Sequence, residues 1–165
     1  MKKRILGFDP GLANTGWGII DADASRFKAI AYGTISTPAD IPIGERLDMI
    51  FKKSSDIVKK FEPELAGIES LYFTKNVTSA IPVAQAKGIL LLSLFHSGIE
   101  AEEYTPQQIK QAITGSGRAE KNQVQEMIRI LLGLKDVPKP DHAADALGAA
   151  VCCYNSNLIT ARGVI

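Results

Sequence analysis

Three acidic residues of this chain lie directly beside apolar sequence that is typical of a protein core. Asp9 ends an apolar run and is followed at once by a turn, and Glu69 ends a second short apolar run. Asp145 lies in a segment of small and apolar residues, three positions after His142. Because buried carboxylates repel one another and lose hydration, such a set is stable when a cation lies among its members.

Carboxylate oxygens are hard ligands, and they favour Mg²⁺ or Mn²⁺. Two such ions roughly 3.5 to 4 Å apart can clamp a phosphodiester, activating a water on one side and stabilising the leaving oxygen on the other. Each acid alone is more often a turn, cap or salt-bridge residue. Their occurrence together favours a metal site with phosphodiester chemistry.

The strands and helices that must position these acids follow from turn signals and apolar spacing. Strands are predicted at residues 4–9, 15–21, 27–37, 65–70 and 99–105, with a hairpin connection at 22–26. Helices are predicted at residues 43–61, 77–97, from a Thr105 capping box onward, at 120–132, and from an Asp141 cap to about Cys153. The connection at 115–118 is expected to be flexible, and the tail after about residue 155 to be loose.

This element order predicts an α/β fold with a mixed five-stranded sheet and helices on both faces. The first three strands should form an antiparallel meander, and the later ones should return through helices. The last helix is mostly small and apolar, so it should pack on the sheet. His142 and Asp145, three residues apart, would then share the face that points at the strand ends.

Length and composition indicate one ordinary domain, residues 1–165. Hydrophobic residues make up 45% of the chain and charged residues 22%, and the net charge of +1 indicates no particular partner. Two adjacent cysteines suggest a reducing, cytoplasmic setting. No signal peptide is evident, and the apolar stretch at 80–99 is interrupted by polar residues, so we expect a buried helix and no membrane span.

Four segments of the chain, taken in order, resemble the bacterial RuvC family, the Holliday-junction resolvases. They read GFDPGLANTGWGII, GIESLYFTKN, GSGRAEKNQVQ and PDHAADALGAA, and the similarity covers roughly residues 4 to 153. The resemblance implies a ribonuclease-H-like fold and a homodimer that nicks two like-polarity strands of a four-way DNA junction. It also implies Mg²⁺-dependent hydrolysis, with two ions per subunit and Mn²⁺ as a substitute, and cooperation with a branch-migration motor complex.

The same resemblance implies a catalytic and metal-binding set of Asp9, Glu69, His142 and Asp145. Many relatives have Asp at the position of His142, so the histidine could be a metal ligand or a general acid or base. Asp141 is an alternative ligand, but one residue earlier on a helix it points about 100° away. We therefore expect Asp141 to cap the helix and His142 to face the site.

DNA contacts are implied in two regions. One is the loop after Glu69, where an aromatic pair could stack on unpaired bases, and it contains Tyr72, Phe73, Lys75 and Asn76. The other contains three basic residues, Lys110, Arg118 and Lys121. Without the resemblance, the rings could be plain core and each base an ordinary solvated charge. The glycines after Asp9 and those at 115 and 117 are expected to let backbone and phosphate approach closely.

Three alternatives remain open from the sequence. The apolar helix at 77–97 could be buried entirely within one subunit or could also cover a second subunit. The chain could be a relative of actin-like phosphotransferases, although these need two copies of the fold. It could also be a junction-binding module without catalysis, although all the acidic positions are filled.

Overall fold

The structure is a computed structural model that describes residues 2–70 and 77–161. The strands are β1 (Lys3–Asp9), β2 (Asn14–Ala22), β3 (Phe27–Ser36), β4 (Leu65–Glu69) and β5 (Ala101–Tyr104). The helices are α1 (Ile43–Phe61), α2 (Val77–His96), α3 (Pro106–Thr114), α4 (Lys121–Leu131) and α5 (Asp141–Ala161).

The strands form one five-stranded sheet in the order β3-β2-β1-β4-β5. Strands β1, β2 and β3 pair antiparallel, whereas β4 pairs parallel with both β1 and β5. Two apolar cores lie on opposite faces of this sheet, one beneath α1 and α2 and the other beneath α3, α4 and α5. The predicted mixed sheet with helices on both faces, as in ribonuclease-H-like proteins, is confirmed.

Strand alternation decides which face each acid occupies. In β1, Phe8 packs into the core beneath α1 and α2, while Gly7 faces α5. Successive side chains of a strand point to opposite faces, so Asp9 shares the α5 face with Gly7. In β4, Gly67 also faces α5, and Glu69 therefore lies on that same face. Both strand-end acids are directed to one side of the sheet.

A row of glycines lets α5 approach the sheet closely. Gly18, Gly7 and Gly67 are paired across three adjacent strands. A Cβ at Gly7 would lie 1.8 Å from the carbonyl oxygen of Ala146, and one at Gly67 would lie 2.7 Å from that of Ala149. The row is therefore a groove in which the backbone of α5 contacts the strands directly.

Helix α5 is longer than the sequence predicts. It continues to Ala161, past the predicted end near Cys153 and through the segment expected to be a loose tail. Tyr154 is buried and packs edge-to-face on Phe27, with ring centroids 5.5 Å apart. Leu158, one turn further on, packs against the same core, so the buried face outlasts the run of small residues.

Helix α2 is only partly buried. Its inner side includes the fully buried residues Ala86, Leu90 and Leu94. Its outer side exposes three large apolar residues, Ile81, Leu92 and Phe95, and the Phe95 ring is 78% exposed. Full burial of this helix within one subunit is therefore wrong. Among the described residues, no helix combines the length and apolar character that a membrane span requires.

Candidate active site

Two residues of α5 meet the carboxylate at the end of β1. One potential ligand atom from each of Asp9, His142 and Asp145 lies within 4.8 Å of the others. The His142 Nδ1 atom is 2.7 Å from Asp9 Oδ2. His142 and Asp145 share one face of the first turns of α5, as their spacing of three predicts. The side chain of Asp9 is largely buried and that of His142 is half-exposed.

Glu69 joins this group from β4, where its carboxyl group lies near those of Asp9 and Asp145. Burial, reinforced by the negative charges of Asp9 and Asp145, raises the pKa of Glu69 to about 8. Burial and the charge of Asp9 likewise raise the pKa of Asp145 to about 6. Without a bound cation, the carboxyl groups of Glu69 and Asp145 therefore do not readily ionise at the same time as that of Asp9.

The donor set fits a hard divalent cation. Three carboxylates and one imidazole converge from three elements, and their mutual repulsion is the kind that a bound cation relieves. Glu69 lies outside the three-residue group within 4.8 Å and is connected to it through Asp9. All four acidic-site residues predicted from the sequence are brought together at this edge of the sheet.

Asp141 is directed away from this group. It is the first residue of α5, and its carboxylate lies 3.0 Å from Lys121 Nζ and 3.5 Å from Lys139 Nζ. The prediction that Asp141 caps the helix is wrong, because lysines from two neighbouring segments hold its side chain instead. The contact to Asp9 is made by His142, as the 100° offset between adjacent helix positions predicts.

Lys121 lies at the acidic site itself. It lines a cavity of about 180 Å³ together with Glu69, Asp145 and Lys110. The hydrogen bond to Asp141 raises the pKa of Lys121, and the charges of Asp145 and Asp9 act in the same direction. The sequence predicts this lysine as a DNA contact but carries no signal that it borders the acids, since tertiary packing brings α4 beside α5.

The family model described as crossover junction endodeoxyribonuclease RuvC matches residues 5–153. This chain belongs to the RuvC family. A crossover junction endodeoxyribonuclease RuvC from Treponema denticola is 53% identical over 92% of this chain and 85% of its own length. The protein of the same name from Clostridioides difficile is 50% identical over 93% of this chain and 90% of its own.

Solved structures agree with this assignment. The structure of T. thermophilus RuvC in complex with a Holliday junction substrate superposes with a TM-score of 0.89 at 31% identity, covering 93% of this chain and 94% of that one. A Fowlpox virus resolvase solved with Holliday junction DNA has a TM-score of 0.61 at 15% identity, over 92% of this chain and 99% of that one, and this likeness concerns the fold alone.

The glycines that follow Asp9 in this RuvC chain have two separate uses. Gly11 makes the tight turn that the sequence predicts, since a Cβ there would lie 2.2 Å from the Asn14 carbonyl oxygen. The sequence predicts that the later glycines leave room for a phosphate. This prediction is wrong for Gly16 and Gly18. They face α5, and a Cβ at Gly16 would lie 1.9 Å from the carbonyl oxygen of His142.

Two buried threonines secure the loop after Asp9, and sequence reasoning missed both. Thr15 Oγ1 donates to the Gly11 carbonyl oxygen at 2.6 Å, and Thr37 Oγ1 donates to that of Leu12 at 2.6 Å. Arg46 Nε donates in turn to Thr37 Oγ1 at 2.9 Å. A threonine within strand-like sequence is ordinary, so the pattern offered no sign of this role.

The residues that the RuvC resemblance assigns to DNA contact are placed differently by the structure. Lys110 and Lys121 border the acidic cavity. Arg118 is exposed on the connection between α3 and α4, beside a larger and separate cleft of about 730 Å³. Tyr72, Phe73, Lys75 and Asn76 lie outside the described residues, between β4 and α2.

Proposed function

We propose that this chain is one nuclease domain that resolves four-way (Holliday) DNA junctions by paired symmetric nicks during recombination and repair. Each nick would leave a 5′-phosphate and a 3′-hydroxyl. The observation that carries the proposal is the convergence of Asp9, His142 and Asp145, with Glu69 near Asp9. Membership of the RuvC family supports it, and the T. thermophilus relative was solved with a Holliday junction substrate.

We further propose that the four residues Asp9, Glu69, His142 and Asp145 hold two Mg²⁺ ions per subunit, with Mn²⁺ as a substitute. When bound, such a pair would activate the attacking water and stabilise the charge on the leaving oxygen. Asp9 touches both His142 and Glu69, so it is the member suited to serve both ions. Hard oxygen donors support Mg²⁺ over softer metals.

The contact between Asp9 and His142 orients the imidazole ring. With Nδ1 engaged by the Asp9 carboxylate at 2.7 Å, Nε2 is the ring atom that can bind a metal ion or transfer a proton. Both roles use the same ring orientation. His142 is half-exposed, which leaves its ring within reach of a substrate phosphate.

Lysines on the wall of the acidic cavity support phosphate binding. Lys110 and Lys121 add positive charge beside Glu69 and Asp145, where a scissile phosphate must approach carboxylates that would otherwise repel it. We propose that Arg118 contacts the junction further from the chemistry. The loop residues Tyr72, Phe73, Lys75 and Asn76 are proposed to enter the junction, with the rings stacked on bases.

We propose a homodimer, since two symmetric nicks need two sites. The exposed apolar side of α2, which contains Ile81, Leu92 and Phe95, supports an interface there. We also propose cooperation with a branch-migration motor complex, which the RuvC resemblance implies, and a cytoplasmic location. Two buried free cysteines, Cys152 and Cys153, are consistent with a reducing compartment.

The deciding experiment compares Mg²⁺-dependent nicking of a synthetic four-way junction with that of linear duplex. Wild type should nick the junction and leave the duplex intact, whereas Asp9→Asn should bind the junction without cleaving it. Asp48→Asn is a matched control, because Asp48 is an exposed α1 residue paired with Lys52. Full cleavage by Asp9→Asn, or equal cleavage of duplex and junction by wild type, would overturn the proposal.

A further inference from the structure

The connection between α3 and α4, which the sequence predicts to be flexible, is held by one side-chain amide. Gln111 Nε2 donates to the Gly115 carbonyl oxygen at 2.9 Å, and the Gly117 N–H donates to Gln111 Oε1 at 3.0 Å. The backbone carbonyl oxygen of Gln111 also accepts from the Gly115 N–H at 2.9 Å. A single residue of α3 therefore holds both glycines of the connection.

Neighbouring contacts complete the same arrangement. Gly115 has a φ of +77°, in the left-handed region that favours glycine. Thr114 Oγ1 lies 3.0 Å from the Ser116 carbonyl oxygen and accepts from the Ser116 N–H at 3.1 Å. The Arg118 N–H then donates to Ser116 Oγ at 3.4 Å. The chain from Gly115 to Arg118 is thus fixed residue by residue, starting from the end of α3.

We propose that Gln111 is a positioning residue for junction binding, which presets the connection so that Arg118 is presented to a DNA phosphate. The inference rests on the proposed function, because it takes Arg118 as a DNA contact. A short connection with two glycines has many conformations, and ordering it on binding would weaken affinity. A connection already ordered in the free protein avoids most of that loss.

The chemistry of the contact explains why an amide is required. The Gly115 carbonyl oxygen needs a donor and the Gly117 N–H needs an acceptor, and a glutamine amide supplies both at once. A glutamate carboxylate could accept from Gly117 but would repel the Gly115 oxygen. An alanine could do neither.

The side chains of Gln111 and Arg118 are exposed, so this arrangement adds little to the global stability of the fold. Its effect should be seen in DNA binding instead. Gln107 is a matched control, since it is an exposed glutamine one turn earlier on the same helix. Gln107→Ala removes the same side-chain amide as Gln111→Ala and changes helix propensity in the same way.

The test measures junction affinity by fluorescence anisotropy without divalent metal, for Gln111→Ala, Gln111→Glu, Gln107→Ala, Arg118→Ala and the Gln111→Ala/Arg118→Ala pair. Both Gln111 variants should weaken binding about fivefold, the equivalent of one net hydrogen bond. Gln107→Ala should stay within about twofold, a change typical of exposed surface positions. The double variant should bind no more weakly than Arg118→Ala alone, because the two residues act through one contact.

Amide hydrogen exchange at Gly117 should be faster in both Gln111 variants, while their melting temperatures stay near that of wild type.

Losses that add fully in the double variant would overturn the inference, as would wild-type affinity or unchanged Gly117 exchange in Gln111→Ala. If Arg118→Ala binds normally while wild type still nicks junctions, the positioning role fails and the proposed nuclease function stands. If wild type neither binds nor nicks a junction, the proposed function itself fails.

Discussion

The backbone at Gly16 lies directly beneath the first turn of α5, so close that a Cβ there would be 1.9 Å from the carbonyl oxygen of His142. Gly16 is also the partner of Asp9 in the pairing of β1 with β2. One strand position therefore sets how near His142 comes to Asp9, whose atoms Nδ1 and Oδ2 are 2.7 Å apart. The acidic site therefore requires a glycine at position 16 as well as its charged residues.

We predict that Gly16→Ala pushes the first turn of α5 away from β2 and lowers junction nicking at least tenfold. The added methyl meets backbone, which cannot move aside as a flexible side chain could. The free energy of unfolding should fall by about 1 to 3 kcal/mol, the usual cost of overpacking. Urea denaturation and single-turnover nicking of a four-way junction measure the two effects.

Gly44→Ala is the control for that substitution. Gly44 is the second residue of α1, and beyond its chain neighbours and the adjacent helix backbone no atom lies within 4 Å of a Cβ built there. Alanine is the better helix former, so this variant should keep full nicking and lose no stability. Normal nicking and normal stability in Gly16→Ala would contradict the close packing of α5 against β2.

The stability of the metal-free protein should fall as pH rises from about 4.5 to about 8. Burial raises the pKa of Glu69 from 4.5 to about 8 and that of Asp145 from 3.8 to about 6. In that range the folded state holds protons that the unfolded state has released, so the free energy of unfolding decreases with pH. Thermal melts in chelator at pH 5, 6.5 and 8 measure the slope.

Two additions sharpen the pH experiment. Glu69→Gln should flatten the slope, because it removes the group with the larger upward shift of pKa. Saturating Mg²⁺ should stabilise wild type more at pH 8 than at pH 5, since the ligands bind metal in their ionised form. A melting temperature that rises with pH in chelator would contradict the packing of these carboxyl groups.

Lys121→Gln should separate substrate binding from metal binding. It removes a positive charge from the wall of the cavity that contains Glu69 and Asp145, so junction affinity should fall about tenfold, as for loss of a charged hydrogen bond. The apparent affinity for Mg²⁺ should not fall, because the substitution removes the Lys121 ammonium group, which would repel the metal ion. Anisotropy with labelled junction and a Mg²⁺ titration of nicking measure the two quantities.

Lys139→Gln is matched to that variant, since Lys139 pairs with the same Asp141 carboxylate at 3.5 Å but does not line the cavity that contains Glu69 and Asp145. It should bind and nick junctions like wild type. Equal losses in the two lysine variants would indicate that the ion pair with Asp141 matters, and that the place of Lys121 beside the acids does not.

Phe95→Glu should convert the proposed dimer to monomer. The ring is 78% exposed on α2, and a charge there would lie unpaired in an apolar interface. Sedimentation velocity at micromolar concentration measures the state, and Ile130→Glu on α4, where the side chain is 55% exposed, is the control and should stay dimeric. A wild-type monomer, or a dimer in Phe95→Glu, would refute this interface.

Local pattern was enough to predict most elements, and together with the RuvC resemblance it named the four residues proposed for the acidic site. The apolar run of β1 and the turn that follows it place Asp9 at a strand end, and the spacing of three places His142 and Asp145 on one helical face. Strand and helix periods are properties of short stretches, so a single sequence displays them. The capping box that begins α3 at Thr105 was also predicted correctly, because it involves residues only three apart.

The relationships that tertiary structure decided join residues far apart in the chain. Asp9 and His142 meet across 133 positions, and they do so because Gly7, Gly16 and Gly67 admit α5 to the sheet. The continuation of α5 beyond Cys153 likewise depends on Phe27, a partner on another strand. The sequence by itself determined which residues could form the site. Only packing decided the distances between them. Close approach of α5 to the sheet requires glycine at particular contacts, and no strand or helix period in the sequence shows where those contacts are.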